Sequence, residues 1–388
     1  MKNEELFRQK FGKENEYSIY APYRICTLGA HTDHQLGHIN GFAVDKGIKL
    51  LFCPGKTENV KIISRNYEGE GNFRVSDSPQ KTGNWQDYAL AALWALKNSG
   101  YTVTYGFEGL IYGELPAGGL SSSAAVIILY LSALCKSNGI TLSEKEVIEL
   151  AHRAEHDFIG LNCGKLDQSC IVLCKKDNLI HIDMMDSSFE NIPVPAGMKK
   201  FETGLFFSGI EHSLINSDYN KRTEELKSAC EAINKAGGKY YGNVLRDIPY
   251  EVYKEFESAL TDNQKKRCIH FYTENERALK GPELFAKGDI EGYGRLVTQS
   301  GESSVINYEA GSPELTALYR ILAETPGVYG ARFSGAGFKG FCIGLINPDY
   351  KEEIANSVWE KYTELFPGLK DKYSCTFCST AQGLGGIK

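Results

Sequence analysis

The sequence predicts an α+β fold of two domains. Strand-like and helix-like segments interleave without regular βαβ spacing. At 388 residues the chain is long for one hydrophobic core. A polar stretch near the middle, MMDSSFENIPVPAGMKK, divides it into 1–195 and 196–388.

The elements follow in order. The first twenty residues read as a charged helix and a polar entry, and residues 20–54 as short apolar runs around a turn-rich centre, GAHTDHQLGH. NVKIIS and GNFRVS alternate with the period of strands. Trp85 to Leu96 has helical periodicity, and Phe107 to Tyr112 reads as a strand leading into GELPAGG. From Ser121 a helix runs through SSSAAVIILYLSALCKS. Another spans Thr141 to Ile159, capped by Ser143 with Glu146 three residues on. Its apolar positions Val147, Leu150, Ala151, Ala154 and Phe158 keep the helical period. The second half ends in strand-like VYGARFS, a glycine turn and apolar FCIGLI.

Composition narrows the function. Hydrophobic residues make up 42% and charged residues 24%, which excludes disorder, collagen and coiled coil as dominant classes. The net charge of −6 makes the chain a poor ligand for polyanions, so neither nucleic acid nor an anionic membrane is expected as a main partner. The longest apolar stretch, Ala124 to Leu134, is too short to span a bilayer. The N-terminus is charged throughout and the cysteine count is odd, at eleven; both fit a reduced, cytoplasmic enzyme. Cys375-x-x-Cys378 invites a zinc or redox reading but lacks a second pair or a His at ligand spacing.

Four segments carry chemistry. The first is Pro116-Ala-Gly-Gly-Leu-Ser-Ser-Ser-Ala124, where a strand, paired glycines and three serines open an apolar helix. Glycines let backbone approach phosphate oxygens, and the unpaired N–H groups of a helix start favour an anion. The plainer alternative is a glycine turn with serine caps. No Lys completes a Walker A loop. The second, Gly335-Ala-Gly337-Phe-Lys-Gly340, has the lettering of a dinucleotide fingerprint, but the segment after it is strand-like. It reads better as a turn between strands near a ligand. The third is Arg24 with Gly29-Ala-His31-Thr-Asp33-His34, fit to bind sugar hydroxyls; a metal on His31, His34 and His38 and a plain surface loop are the rivals. The fourth is Cys163-Gly-Lys-Leu-Asp167-Gln168, in which Asp167 is either structural or a base. Glu155 borders the apolar stripe of its helix, as a solvated edge residue or a magnesium ligand.

Together these segments resemble the galactokinase branch of the GHMP small-molecule kinases. Ala21-Pro-Tyr-Arg24…Leu-Gly-Ala-His31-Thr-Asp33 is similar to its sugar signature, GELPAGGLSSSAA to its phosphate loop, CGKLDQS to its catalytic-aspartate segment and ARFSGAGFKG to its third motif. The resemblance covers about residues 20 to 385 and implies a two-domain GHMP kinase fold with the active site in the cleft between the domains. It implies ATP and Mg2+ as cofactors and a small sugar or sugar acid as substrate, and says nothing of oligomeric state. Asp167 and Arg24 take the catalytic positions. Ala30, His31, Asp33, Gly164 and Tyr219 fall at sugar-contact positions. Gly118, Gly119, Leu120, Ser121, Ser122, Ser123 and Ala124 form the phosphate loop, Ser123 and Glu155 match the magnesium ligands, and Trp85 matches an aromatic at the adenine pocket. The chain departs from galactokinases at Ala30, where they carry Glu, at Tyr23, where they carry Gly, and at Lys165, where they carry an apolar residue. Ala30 and Tyr23 are shared with the plant galacturonate kinases, which implies D-galacturonate as the phosphate acceptor, with D-galactose and a non-catalytic sugar sensor as alternatives.

Overall fold

A computed structural model describes residues 2–211 and 218–388. Helix α1 (Asn3–Phe11) precedes strands β1 (Tyr17–Leu28) and β2 (His38–Pro54), a long antiparallel hairpin around the loop 29–37. The sequence reads these strands only as short apolar runs. The reason is burial of both strand faces over most of their length, which removes the alternation that marks a half-exposed strand. β2 pairs with β1 on one edge; on the other it meets β5 (Phe107–Gly113) and then β6 (Asn178–Asp183). With β3 (Asn59–Ser64), β4 (Glu70–Arg74) and β7 (Phe189–Pro193) the order is β4-β3-β5-β2-β6-β7, with β1 on β2. Only the β3–β5 pairing is parallel among the described residues.

Helices α3 (Ser122–Asn138) and α5 (Leu166–Leu173) pack on this sheet, and α2 (Asp87–Asn98) and α4 (Glu144–Arg153) pack against those helices. The capping box of Ser143 and Glu146 opens α4. The helix expected to run unbroken to Ile159 instead widens into a π-helical turn over Ala154–Ile159, closed by left-handed Gly160. In that turn Glu155 is buried, at 2% exposure, rather than lying at a solvated edge. Single π turns of this kind recur at functional sites.

The second sheet runs β11-β8-β10-β9, all antiparallel, from β8 (Glu202–Phe207), β9 (Val328–Phe333), β10 (Phe341–Ile346) and β11 (Ser374–Cys378). It lies between two cores. Leu205, Phe207, Phe341, Ile343 and Leu345 join the core of the first sheet. Phe206, Phe333, Cys342 and Ile346 join a second core with α6 (Tyr219–Gly237), α7 (Tyr250–Phe256), α8 (Asp262–Ala286), α10 (Pro313–Ala323) and α11 (Lys351–Leu365). Successive side chains of a strand point to opposite faces, so FCIGLI is apolar throughout because each face meets a core. Helices α8 and α9 (Ile290–Ile306) also reach the first core through Ala278, Phe285 and Tyr293. The chain end returns to the first sheet: the amide of Ala381 donates to the Ala43 carbonyl at 2.8 Å, and Leu142 and Ile387 exchange backbone hydrogen bonds at 2.9 Å.

Cys375 and Cys378, three apart on β11, fall on opposite faces, so the two thiols do not face one another as a ligand or redox pair would. Among the described residues no helix is long and apolar enough to cross a membrane.

Candidate active site

Arg24, on β1 and 3% exposed, joins three segments that are far apart in sequence. Its Nε and Nη2 donate to Asp167 Oδ1 at 2.8 and 2.6 Å, and its Nη1 donates to the Gly119 carbonyl at 3.1 Å. Asp167 sits in the first turn of α5 with its side chain 28% exposed, so it is held on one side and open on the other. Both guanidinium contacts use Oδ1, which leaves Oδ2 free of the guanidinium.

The two glycine-rich segments interlock. Gly118 and Gly119 have φ of 149° and 84°, and Gly335 and Gly340 have 62° and 96°. A Cβ on Gly119 would lie 2.5 Å from the Ser334 carbonyl oxygen, and one on Gly340 would lie 2.3 Å from that of Gly118. Ser334 Oγ also donates to the Gly119 carbonyl at 2.6 Å. The late glycine cluster is therefore a turn between β9 and β10 that braces the early one. Ser121 precedes α3 with φ 60° and makes no side-chain cap; its buried Oγ has no partner among the described residues. This removes the serine-cap alternative and leaves the first amides of a 17-residue helix open, a ready anion site. Ser122 begins the helix, partly exposed; Leu120 and Ala124 bury their side chains and present only backbone.

Ser123 is turned inward, and its Oγ donates to Glu155 Oε1 at 2.5 Å. Gln168 Nε2 donates to Glu155 Oε2 at 2.7 Å. Burial, with the charge of Asp167 added, pushes the Glu155 carboxyl up to about 7. Gln168 Oε1 is buried beside it without a partner among the described residues. A hydroxyl, a carboxylate and an unused amide oxygen are the hard oxygen donors that magnesium takes, one or two at a time, so the residues fit that ion.

The loop after β1 carries the sugar-contact candidates. Glu274, fully buried on α8, accepts from the amides of Gly29 at 2.7 Å and Ala30 at 3.3 Å, and His270 Nε2 pairs with the Ala30 carbonyl at 3.0 Å. His31, φ 63°, stacks on Tyr308 with centroids 3.9 Å apart; burial pushes its pKa well down, so the ring is neutral. Asp33 Oδ2 accepts from the Leu166 amide at 3.4 Å, and a Cβ on Gly164 would lie 2.5 Å from that oxygen. Burial, then the charge of Asp167, raises the Asp33 carboxyl to about 6. Tyr219 opens α6, its ring 6.3 Å from that of His31.

The histidine metal reading separates from this cluster. His38 stacks on His181 and lies 3.5 Å from Asp183, whereas His31 stacks on Tyr308, so these histidines engage different neighbours and form no common metal site. Lys165 Nζ is 2.5 Å from Glu149 at the surface. Trp85 lies just before α2, its Nε1 donating to the Glu68 carbonyl at 3.0 Å. Sequence reasoning missed Gln168 and Ser334, although both stand inside quoted motifs. It also missed Glu274 and Tyr308, which sit more than 240 residues from the loop they support and carry no local signal.

Comparison with known proteins agrees with this geometry. Residues 87–175 match the GHMP kinases N terminal domain, and 283–364 the GHMP kinases C terminal domain. A galacturonokinase from Arabidopsis thaliana is 38% identical over 370 residues, 90% of this chain and 87% of that one. A galactokinase from Limosilactobacillus fermentum is 31% identical over 373 residues, 94% of this chain and 95% of that one. The crystal structure of Lactococcus lactis galactokinase complexed with galactose superposes with a TM-score of 0.89 at 28% identity, over 99% of this chain and 98% of that one. Interlocked glycine-rich loops, a buried Arg24 paired with Asp167 and near full-length similarity converge: the chain belongs to the GHMP kinases, among the sugar kinases of the galactokinase family.

Proposed function

We propose that this kinase transfers the γ-phosphoryl group of ATP to the anomeric hydroxyl of D-galacturonate. Phosphoryl transfer needs positioning and charge stabilisation more than covalent help. Asp167 Oδ2 orients the C1 hydroxyl and takes its proton. Arg24 fixes Asp167 through Oδ1 and places a positive charge beside the developing alkoxide. The amides at the start of α3 and the backbone of Gly118 and Gly119 receive phosphate oxygens, and Trp85 borders the adenine. Ser123 and Glu155 would hold Mg2+, which when bound neutralises phosphate charge. Ala30, His31, Asp33, Gly164 and Tyr219 surround the sugar. The intact serines, Asp167 and Arg24 favour catalysis over a sensor. Eleven free thiols support a cytoplasmic location.

Ala30 carries the choice of acid sugar. A Glu in its place would face the C6 carboxylate, and two such charges about 4 Å apart repel by roughly 4 kcal/mol at a near-surface dielectric. That is about three decades of affinity. A coupled ADP-release screen over galacturonate, galactose, glucuronate and galactosamine tests the reading. Galacturonate is expected to give the highest kcat/KM, and Ala30→Glu to abolish most of it. A tenfold preference for galactose would make the enzyme a galactokinase with an altered C6 pocket.

A further inference from the structure

If the substrate is an acid sugar, removing a repelling Glu is half the requirement; the carboxylate also needs donors and a counter-charge. Lys165 does not supply them, being paired with Glu149. The His31 side of the loop does. Tyr308 is fully buried, stacked within 7° of parallel on His31, and its hydroxyl has no partner among the described residues. His31 Nε2 is likewise buried and unpartnered. Arg222 lies three residues after Tyr219, on the same side of α6, and is 8% exposed. Its Nη1 donates to Glu225 at 3.2 Å and its Nη2 lies 3.8 Å from Glu309, the neighbour of Tyr308, but its Nε is buried without a partner among the described residues.

An unmade hydrogen bond on a buried group is costly, so three in one region mark a place for a ligand. Each can donate. A C6 hydroxyl accepts at two lone pairs, whereas a carboxylate offers about four acceptor sites and no proton. The charges agree. Arg222, Arg267 and Lys266 share two carboxylates, Glu225 and Glu309, at 2.6–3.8 Å, which leaves one positive charge in excess behind Tyr308. Asp33, whose charge also reaches Tyr308, remains for ring hydroxyls.

We propose that Tyr308 and His31, backed by Arg222, form the subsite that holds the C6 carboxylate of the sugar. This rests on the galacturonate reading above. The test is kcat and KM on galacturonate and galactose for the wild type, Tyr308→Phe and Arg222→Lys. Phe keeps the stacked ring and removes only the hydroxyl. A hydrogen bond to a charged group contributes about 1.5–3 kcal/mol, so the galacturonate-to-galactose ratio of kcat/KM should fall at least about tenfold in Tyr308→Phe, mainly through KM. Arg222→Lys keeps the charge and loses the Nε donor, and should lower the ratio in the same direction. A wild type that prefers galactose overturns the galacturonate reading and this subsite with it. A wild type that prefers galacturonate, with the ratio unchanged in a folded Tyr308→Phe enzyme, overturns the subsite alone.

Discussion

Asp167 and Glu155 lie one hydrogen-bonded residue apart, through Gln168, yet their environments assign them different work. Asp167 is partly open and fixed at one oxygen by Arg24. Asp167→Ala should lower kcat by about 10²–10⁴, and because it leaves the buried Arg24 without its counter-charge the melting temperature should fall as well; rapid-quench measurements on enzyme that calorimetry shows to be folded separate the two effects. Glu155 is closed in, with its carboxyl pushed up to about 7. Binding a cation requires the ionised form, so the magnesium concentration for half-maximal rate should fall as pH rises from 6 to 8, by about tenfold per unit well below 7. Glu155→Gln should raise that requirement and flatten its pH profile; a wild-type titration independent of pH would remove Glu155 from the ion site. The same raised groups set the sign for stability. Glu155 at about 7 and Asp33 at about 6 stand above their ordinary values of 4.5 and 3.8. Their protonated forms favour the fold below about pH 4, and that contribution is lost as pH rises through 6 and 7. Both residues can be singled out in the sequence, Asp33 from its motif and Glu155 from the stripe it borders. The burial that tunes them is not legible there, because it comes from segments elsewhere in the chain.

The glycine loops show the same division at the scale of elements. A turn after a strand and before an apolar helix is legible, and so is the strand–turn–strand lettering of ARFSGAGFKGFCIGLI. Their contact is not, since 215 residues separate Ser334 from Gly119. Gly119→Ala would strain a left-handed backbone and press a Cβ to 2.5 Å from the Ser334 carbonyl. The KM for ATP should rise roughly tenfold or more, since the loop must part from its brace at a cost above the 1–2 kcal/mol of the conformation itself. Gly139→Ala is the control. It has φ 65° at the far end of α3 with no atom within 4 Å of its Cβ, so it should cost about 1 kcal/mol of stability and leave the ATP KM alone. If both variants shift KM alike, loop contact is not the cause. The π turn at Ala154–Ile159 and the β1–β2 hairpin were the elements least legible. In the first the helical period gives no sign of a widened turn, and in the second two buried faces leave no period at all.

At the scale of the whole molecule, a two-domain fold is legible from length, but not the way its halves are joined. Glu274 is central to that joint. It lies on α8, holds the amides of Gly29 and Ala30 from the first sheet, accepts from Ser300 Oγ at 2.6 Å, and pairs with Arg277 at 2.7 Å and Arg332 at 3.5 Å. Burial alone would raise its carboxyl, but Arg277 and Arg332 outweigh burial and hold it at about 2. Glu274→Gln keeps the shape and leaves the fully buried Arg332 without its counter-charge. Breaking a buried pair by removing one partner costs about 3–5 kcal/mol, so the melting temperature at pH 7 should drop by roughly 5 °C or more. The sign with pH is fixed. A carboxyl lowered in the fold contributes stability that is whole above about 4.5 and lost as pH falls toward 2, so the curves of wild type and variant should converge on acidification. The sugar KM should rise as well, because a Gln oxygen can still accept from the amides of Gly29 and Ala30 but is uncharged, and so holds the loop carrying Ala30 and His31 less firmly. Melting curves that stay parallel from pH 7 to 3 would show that the two halves are joined by packing alone, with the buried carboxylate a passenger.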